Sequence, residues 1–220
     1  MRIAMLVLGA GLAATTVSSG CAGRRGEPAV VSHDDDGHAT YEVGEFTRVE
    51  IDGRFEAKLA VGSPQRVELS GDPYVLEDVH VHVRGGELEV RMHSHEPHRP
   101  IEIVVVTPTL DAVELNGATH LQVDGLDRDT FALEVNGTAR AKLRGHVDTF
   151  QLQLNGAGRL DSTPLKAQEV DVEINGSGRA DVTALAQLSA EINGTGRVRY
   201  GGSPKTVAKS VNGLGWVKPL

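Results

Sequence analysis

The chain has 220 residues, 26 of them glycine, with aromatic residues at only 4% and a formal net charge of −8. The negative charge disfavours a nucleic-acid partner, whose interface wants a basic surface. Length allows one domain with a real core, and many glycines with few aromatics fit short strands and turns better than a helical bundle.

The first twenty residues, MRIAMLVLGAGLAATTVSSG, place one arginine before an apolar run that ends in small residues. That is the layout of a secretory signal, too short to span a bilayer as a stable helix. Cys21 follows directly and is the only cysteine, so it has no internal disulfide partner. The arrangement resembles a bacterial lipoprotein signal, although Ser18 stands where that pattern usually has Leu or Val, and Val17 comes one place early. The resemblance implies an acylated Cys21 as lipid attachment site. With Ala22 next, it also implies a palmitate-bearing outer-membrane lipoprotein, periplasmic or surface-exposed. The alternative is an ordinary cleaved signal with an incidental thiol. Residues 21–40 carry Gly, Pro and an Asp run without periodicity, which predicts a flexible tether.

From Tyr41 to the end a single domain is expected. In its first part, 41–108, apolar residues alternate: Val49 and Ile51, Leu59 and Val61, Val67 and Leu69. DVHVHVRGGELEVRM predicts a hairpin turning at Gly85-Gly86, with Arg84 opposite Glu87. Val79, Val81, Val83, Leu88, Val90 and Met92 would then share the buried face. His80, His82, Glu89, Arg91, His93 and His95 would share the polar one. His80, His93 and His95 are weak metal-ligand candidates, but no tight spacing closes a tetrahedral set. A solvated strand face is the better reading, and no metal or cofactor is expected.

In the second part, 109–220, Asn-Gly recurs at Asn116, Asn136, Asn155, Asn175, Asn193 and Asn212, at intervals of 20, 19, 20, 18 and 19 residues. A fixed period near 19 marks a solenoid. The residue before each Asn is apolar. So is the residue three before it, except at Lys209, and the residue five after it. Each repeat therefore reads as strand, corner, strand, and the interval is too short for a strand–helix–strand unit. Gly supplies the positive φ of a corner, and stacked Asn side chains can form a hydrogen-bonded ladder.

Two outward columns follow from the alignment. His120, Arg140, Arg159, Arg179, Arg197 and Trp216 lie four after the Asn; Glu114, Glu134, Gln153, Glu173, Glu191 and Ser210 lie two before. Stacking puts like charges next to each other, which is unfavourable unless something compensates. The bland expectation is that the Glu column neutralises the Arg column around the corner. The sharper one is that Arg140, Arg159, Arg179 and Arg197 face an anionic ligand. Asp161 and Asp181 would stack as neighbours at a separation that a retaining glycosidase uses, but the repeats have no insertions to wall a cleft.

FTRVEIDGRFEAKLAVG, VELSGD, GELEV, IEIVVVTPTLDAVELNG, the repeated apolar-x-apolar-Asn-Gly-x-Gly and VRYGGSPKTVAKSVNGLG together resemble the GIN domain family, the head domain of autotransporter adhesins, over roughly residues 42–218. Members usually carry Ser-Gly-Ser-Gly at the corners, where this chain has Asn. The resemblance implies a right-handed parallel β-helix in a bacterial envelope protein, with no catalytic residues to transfer. The expected fold is all-β: a right-handed parallel β-helix (β-solenoid) of about six 19-residue coils, preceded by a β-hairpin-rich cap. The expected function is non-catalytic binding, adhesion or scaffolding in the envelope, held to the membrane by the N-terminal lipid. An anionic glycan, another surface polymer or an envelope protein would be its partner. The alternative is a polysaccharide-active β-helix enzyme. An exposed solenoid end or flat face also offers a surface for self-association.

Overall fold

Each Asn-Gly repeat lies beside its predecessor, strand against strand, and this stacking organises the molecule. The structure, a computed structural model, describes residues 27–28, 30–34, 37–93 and 99–220. The 1–20 leader, Cys21 and His95 lie outside the described residues. The strands are β1 (Glu27–Pro28), β2 (Val30–Asp34), β3 (His38–Glu42), β4 (Arg48–Val61), β5 (Arg66–Ser70), β6 (Val79–Arg84), β7 (Glu87–Met92), β8 (Ile101–Thr107), β9 (Ala112–Gly176), β10 (Arg179–Gly194), β11 (Arg197–Gly202), β12 (Thr206–Gly213) and β13 (Trp216–Pro219), with one helical turn, α1, at Pro73–Leu76. All thirteen strands belong to one sheet.

The repeat region pairs in parallel. Asn193 lies opposite Asn175 on one side and Asn212 on the other, and Arg179 lies between Arg159 and Arg197. β9 is a single run in strand conformation that passes through several corners. Its rows meet one another, since Asn155 Nδ2 donates to Asn136 Oδ1 at 2.9 Å. The ladder continues from Asn175 to Asn155, Asn193 to Asn175 and Asn212 to Asn193 at 2.9–3.0 Å. Asn116 is not a rung. Its amide donates to Glu50 and Glu114, and Asn136 reaches down to Glu114 and Glu134 instead. A carboxylate is the stronger acceptor, and Glu114 takes the place that the Asn116 carbonyl would fill.

The corner glycines keep a φ that other residues rarely adopt, for example 149° at Gly156 and 143° at Gly176. Three residues after the Asn the chain turns inward again. A Cβ on Gly178 would lie 2.5 Å from Leu154 Cδ2, which is why glycine recurs there.

One row of the stack has no Asn-Gly in the sequence. In β4, Asp52 and Gly53 lie opposite Asn116 and Gly117, and Gly53 has φ 135°. The strand extends the stack by one row, with Asp-Gly as its corner. On its far side β4 pairs in parallel with β7 through Val49 and Leu88, and with β8 through Phe55 and Ile101.

The sheet as a whole is mixed: parallel through the repeats and partly antiparallel at the N-terminal end, where hairpins are expected. β6 and β7 form the expected hairpin with Arg84 opposite Glu87, and β2–β3, β3–β5, β5–β8 and β1–β6 are also antiparallel. Short connections force this at β6–β7 and β2–β3, because a parallel return needs a long crossover. Part of the expected tether is strand: Val30–Asp34 pairs with His38–Glu42, and Ala39 is buried. The polar alternation there was masked by the Asp run.

The core is one column of stacked side chains. Leu115, Val135, Leu154, Ile174 and Ile192 precede the corners and are all buried, and the Phe131 and Phe150 rings stack 15° from parallel, 6.2 Å apart. At the C-terminal end the pattern stops. Val211 is 38% exposed. Lys209 replaces the apolar residue of earlier rows and donates from Nζ to the Val217 carbonyl, crossing the open end of the core.

The ladder has a measurable share in stability. In Asn155→Ala, Asn136 Oδ1 loses its donor and Asn175 Nδ2 keeps only Glu173. The expected cost is about 1–2 kcal/mol, read as a lower urea midpoint at unchanged slope.

Candidate functional site

The parallel register turns the four arginines into a continuous row. Arg179 stands beside Arg159 and Arg197, and Arg197 beside Trp216, at about 4.8 Å per row. Arg140, Arg159 and Arg197 are exposed and Arg179 is half-buried. The expected neutralisation by the Glu column is not seen. Glu114, Glu134, Glu173 and Glu191 instead accept hydrogen bonds from the ladder amides. None of the four arginines forms an ion pair among the described residues. Glu and Arg are six residues apart around a corner, and the two columns line different depressions. Arg197 has one contact of another kind, its guanidinium 6.0 Å from the centre of the Trp216 ring.

Arg140 and Arg159, at one end of the row, border a groove. One depression of about 770 Å³ is lined by Arg54, Phe55, Met92, His93, His120 and Arg140, among others. A second, of about 1100 Å³, adjoins it and includes Lys58, His120, Arg140, Lys142, Arg159 and Asp161. The two share His120, Thr138, Ala139 and Arg140. The floor is made by Ala118, Thr138, Ala139, Ala157 and Gly158, the small residues that follow each corner. The same need for a small side chain just after the turn therefore creates the depression, and the next outward position supplies the cations. Glu56 and Asp161 are the groove's acidic residues, with Glu56 3.9 Å from His120.

Asp161 and Asp181 are opposite one another across β9 and β10. Both are occupied. Arg199 holds Asp181 with a two-pronged contact, Nε to Oδ1 at 2.6 Å and Nη2 to Oδ2 at 2.5 Å. Asp161 accepts from the Thr163 hydroxyl and backbone N–H. The Thr163 hydroxyl bond holds the Asp161 carboxyl below the usual carboxylate range, with burial opposing it. A general acid needs the opposite shift. Thr163→Val should raise the Asp161 pKa, observable by side-chain carbon NMR titration. By linkage, this depressed carboxyl adds stability above its ordinary value of 3.8 and loses it as pH falls below that. The variant's stability should depend less on pH in that window.

The hairpin's polar face differs from a solvated strand. Glu89 is buried, 3.0 Å from His82 Nε2, and Arg91 bridges Glu50 and Glu89. His80 and His93 are exposed and their rings meet edge to face with centres 4.7 Å apart. No group of three His, Cys, Asp or Glu gathers for a metal among the described residues.

A family model described as "Putative auto-transporter adhesin, head GIN domain" matches residues 45–204. None of the curated proteins matches the chain. Solved structures do. One is described as a putative adhesin from Bacteroides fragilis, 19% identical, with TM-score 0.68 over 83% of this chain and 96% of the other. Another is a putative adhesin from Parabacteroides distasonis, 18% identical, with TM-score 0.55 over 83% and 96%. A third is a putative lipid binding protein from the same species, 14% identical, with TM-score 0.51 over the same shares. At these identities the likeness shows a shared fold.

Proposed function

The chain belongs to the head GIN domain family of auto-transporter adhesins, and from that premise we propose that it is a non-catalytic binding module of the bacterial envelope whose basic groove takes an anionic glycan or other anionic surface polymer. The observation that carries this reading is the row Arg140, Arg159, Arg179 and Arg197, stacked at the cost of mutual repulsion and left without counter-charges among the described residues. A polymer with regularly spaced anions would relieve that repulsion along the whole row. The small residues Ala118, Thr138, Ala139, Ala157 and Gly158 leave the groove open beside Arg140 and Arg159. We read the stacked rows as coils of a right-handed parallel β-helix, the shape in which such a row stays straight. We further propose that Cys21 carries the lipid anchor and the chain works at the outer membrane.

The enzyme alternative has little support: Asp161 and Asp181 are neighbours, but each is already engaged by Thr163 or Arg199. The test is a panel of immobilised polysaccharides. Polyuronates and sulfated glycans should retain the chain and release it with salt, while neutral dextran should not. Equal retention on both kinds would contradict the proposal, and release of reducing ends from a polyuronate would favour the enzyme.

A further inference from the structure

The acidic column deserves the question asked of the basic one. Glu191 lies opposite Glu173, and Glu114 opposite Glu50. Glu134, Asp171, Glu173 and Glu191 line a shallow depression of about 510 Å³ whose remaining polar lining is Gln151, Gln153 and Ser189, with no Lys, Arg or His. Glu114, Glu134, Glu173 and Glu191 form no ion pair among the described residues. The ladder amides fix their direction without cancelling their charge.

One molecule therefore presents two flat faces of opposite charge on different sides of the Asn corner. The same repeat generates both, so both have the same row spacing of about 4.8 Å. Row by row, Arg140, Arg179 and Arg197 can meet carboxylates of Glu134, Glu173 and Glu191, with Gln153 opposite Arg159, a match in spacing that an unrelated protein would have only by accident. We propose that copies of this chain associate side by side, the acidic face of one against the basic row of the next.

The contact is heterologous, since the two patches differ, so each copy keeps one free face and the assembly can grow. About six rows of 4.8 Å and strands of about seven residues at 3.3 Å give on the order of 650 Å² per partner. That lies under the roughly 800 Å² per partner of a standard stable complex, and exposed ion pairs are individually weak. The association is accordingly weak, sensitive to salt, and favoured where the chain is concentrated on a surface. It uses the basic row of the proposed function, so soluble polyanion competes with it.

The test is sedimentation velocity of the full chain with two charge-swap variants. Glu173→Lys/Glu191→Lys makes both faces basic, and Arg159→Glu/Arg179→Glu makes both acidic. The wild type should gain mass with concentration at low salt, to twofold or more, and return to monomer at high salt. Each variant alone should stay monomeric with an unchanged circular dichroism spectrum. Mixed in equal amounts they should associate again, because each face of one variant is complementary in charge to each face of the other. A wild type that stays monomeric at low salt at the highest concentration reached, or variants that assemble as the wild type does, would overturn the proposal. The Glu173→Lys/Glu191→Lys variant keeps the basic row, so its retention on polyuronate reports separately on the proposed function.

Discussion

Gly176→Ala should cost about 3 kcal/mol or more. Two causes add. At φ 143° the backbone of Gly176 lies in a region other residues rarely enter, worth about 1–3 kcal/mol. The new Cβ would also fall 2.4 Å from the Gly156 carbonyl oxygen. That oxygen is backbone and has nowhere to go. Gly156 is itself packed on Gly137, where its own Cβ would lie 2.3 Å from the carbonyl, and Gly194 packs on Gly176 from the other side with 2.5 Å. Relief at one corner has to pass to its neighbours. Gly86→Ala provides the control. It too has positive φ, at 79°, but nothing lies within 4 Å of the added Cβ, so only the conformational cost of about 1–2 kcal/mol is expected. Chemical denaturation of both variants measures the difference. Equal losses would show that close stacking of the corners adds nothing.

The corners were the most legible part of the sequence because two constraints coincide there. Gly176 is required by φ and by space, and Asn175 by its two hydrogen bonds, to Asn155 and to Glu173. Such positions repeat without drift. Asp52 and Gly53 obey the same rules but were missed, since a 64-residue excursion separates Asp52 from its partner Asn116 and no period survives it. The β2–β3 pairing was hidden by HDDDGH, which reads as low complexity yet places Gly37 at φ 78° to turn the chain. The columns of charge were visible as lists, but their relation was not. Sequence spacing brings Arg140 within four residues of Asn136 and Glu134 within two, without telling that the corner turns them apart. The engagement of Asp161 by Thr163 and of Asp181 by Arg199 was equally invisible, because one depends on a rotamer and the other on a register between strands.

The second large effect concerns binding. The double substitution Arg159→Ala/Arg179→Ala removes the middle of the row and leaves Arg140 and Arg197 separated by two empty coils. Each lost contact is worth about 0.5–1 kcal/mol at an exposed site, so affinity for a polyuronate should drop about tenfold. Two fewer cations release fewer counterions, and the slope of log affinity against log salt should become shallower by about two. Fold stability should not fall, since these side chains bond nothing among the described residues and their mutual repulsion is relieved. Arg66→Ala/Arg84→Ala removes the same charge elsewhere: Arg66 lies beside Glu68, and Arg84 at the hairpin end.

The measurement that bears most directly on the whole account is the polyuronate affinity of these three proteins across a series of salt concentrations. If the stacked row is the binding surface, the Arg159/Arg179 variant alone shows the tenfold loss and the shallower slope. If both double variants lose affinity equally, the chain responds only to its net charge, and the row has no part in binding.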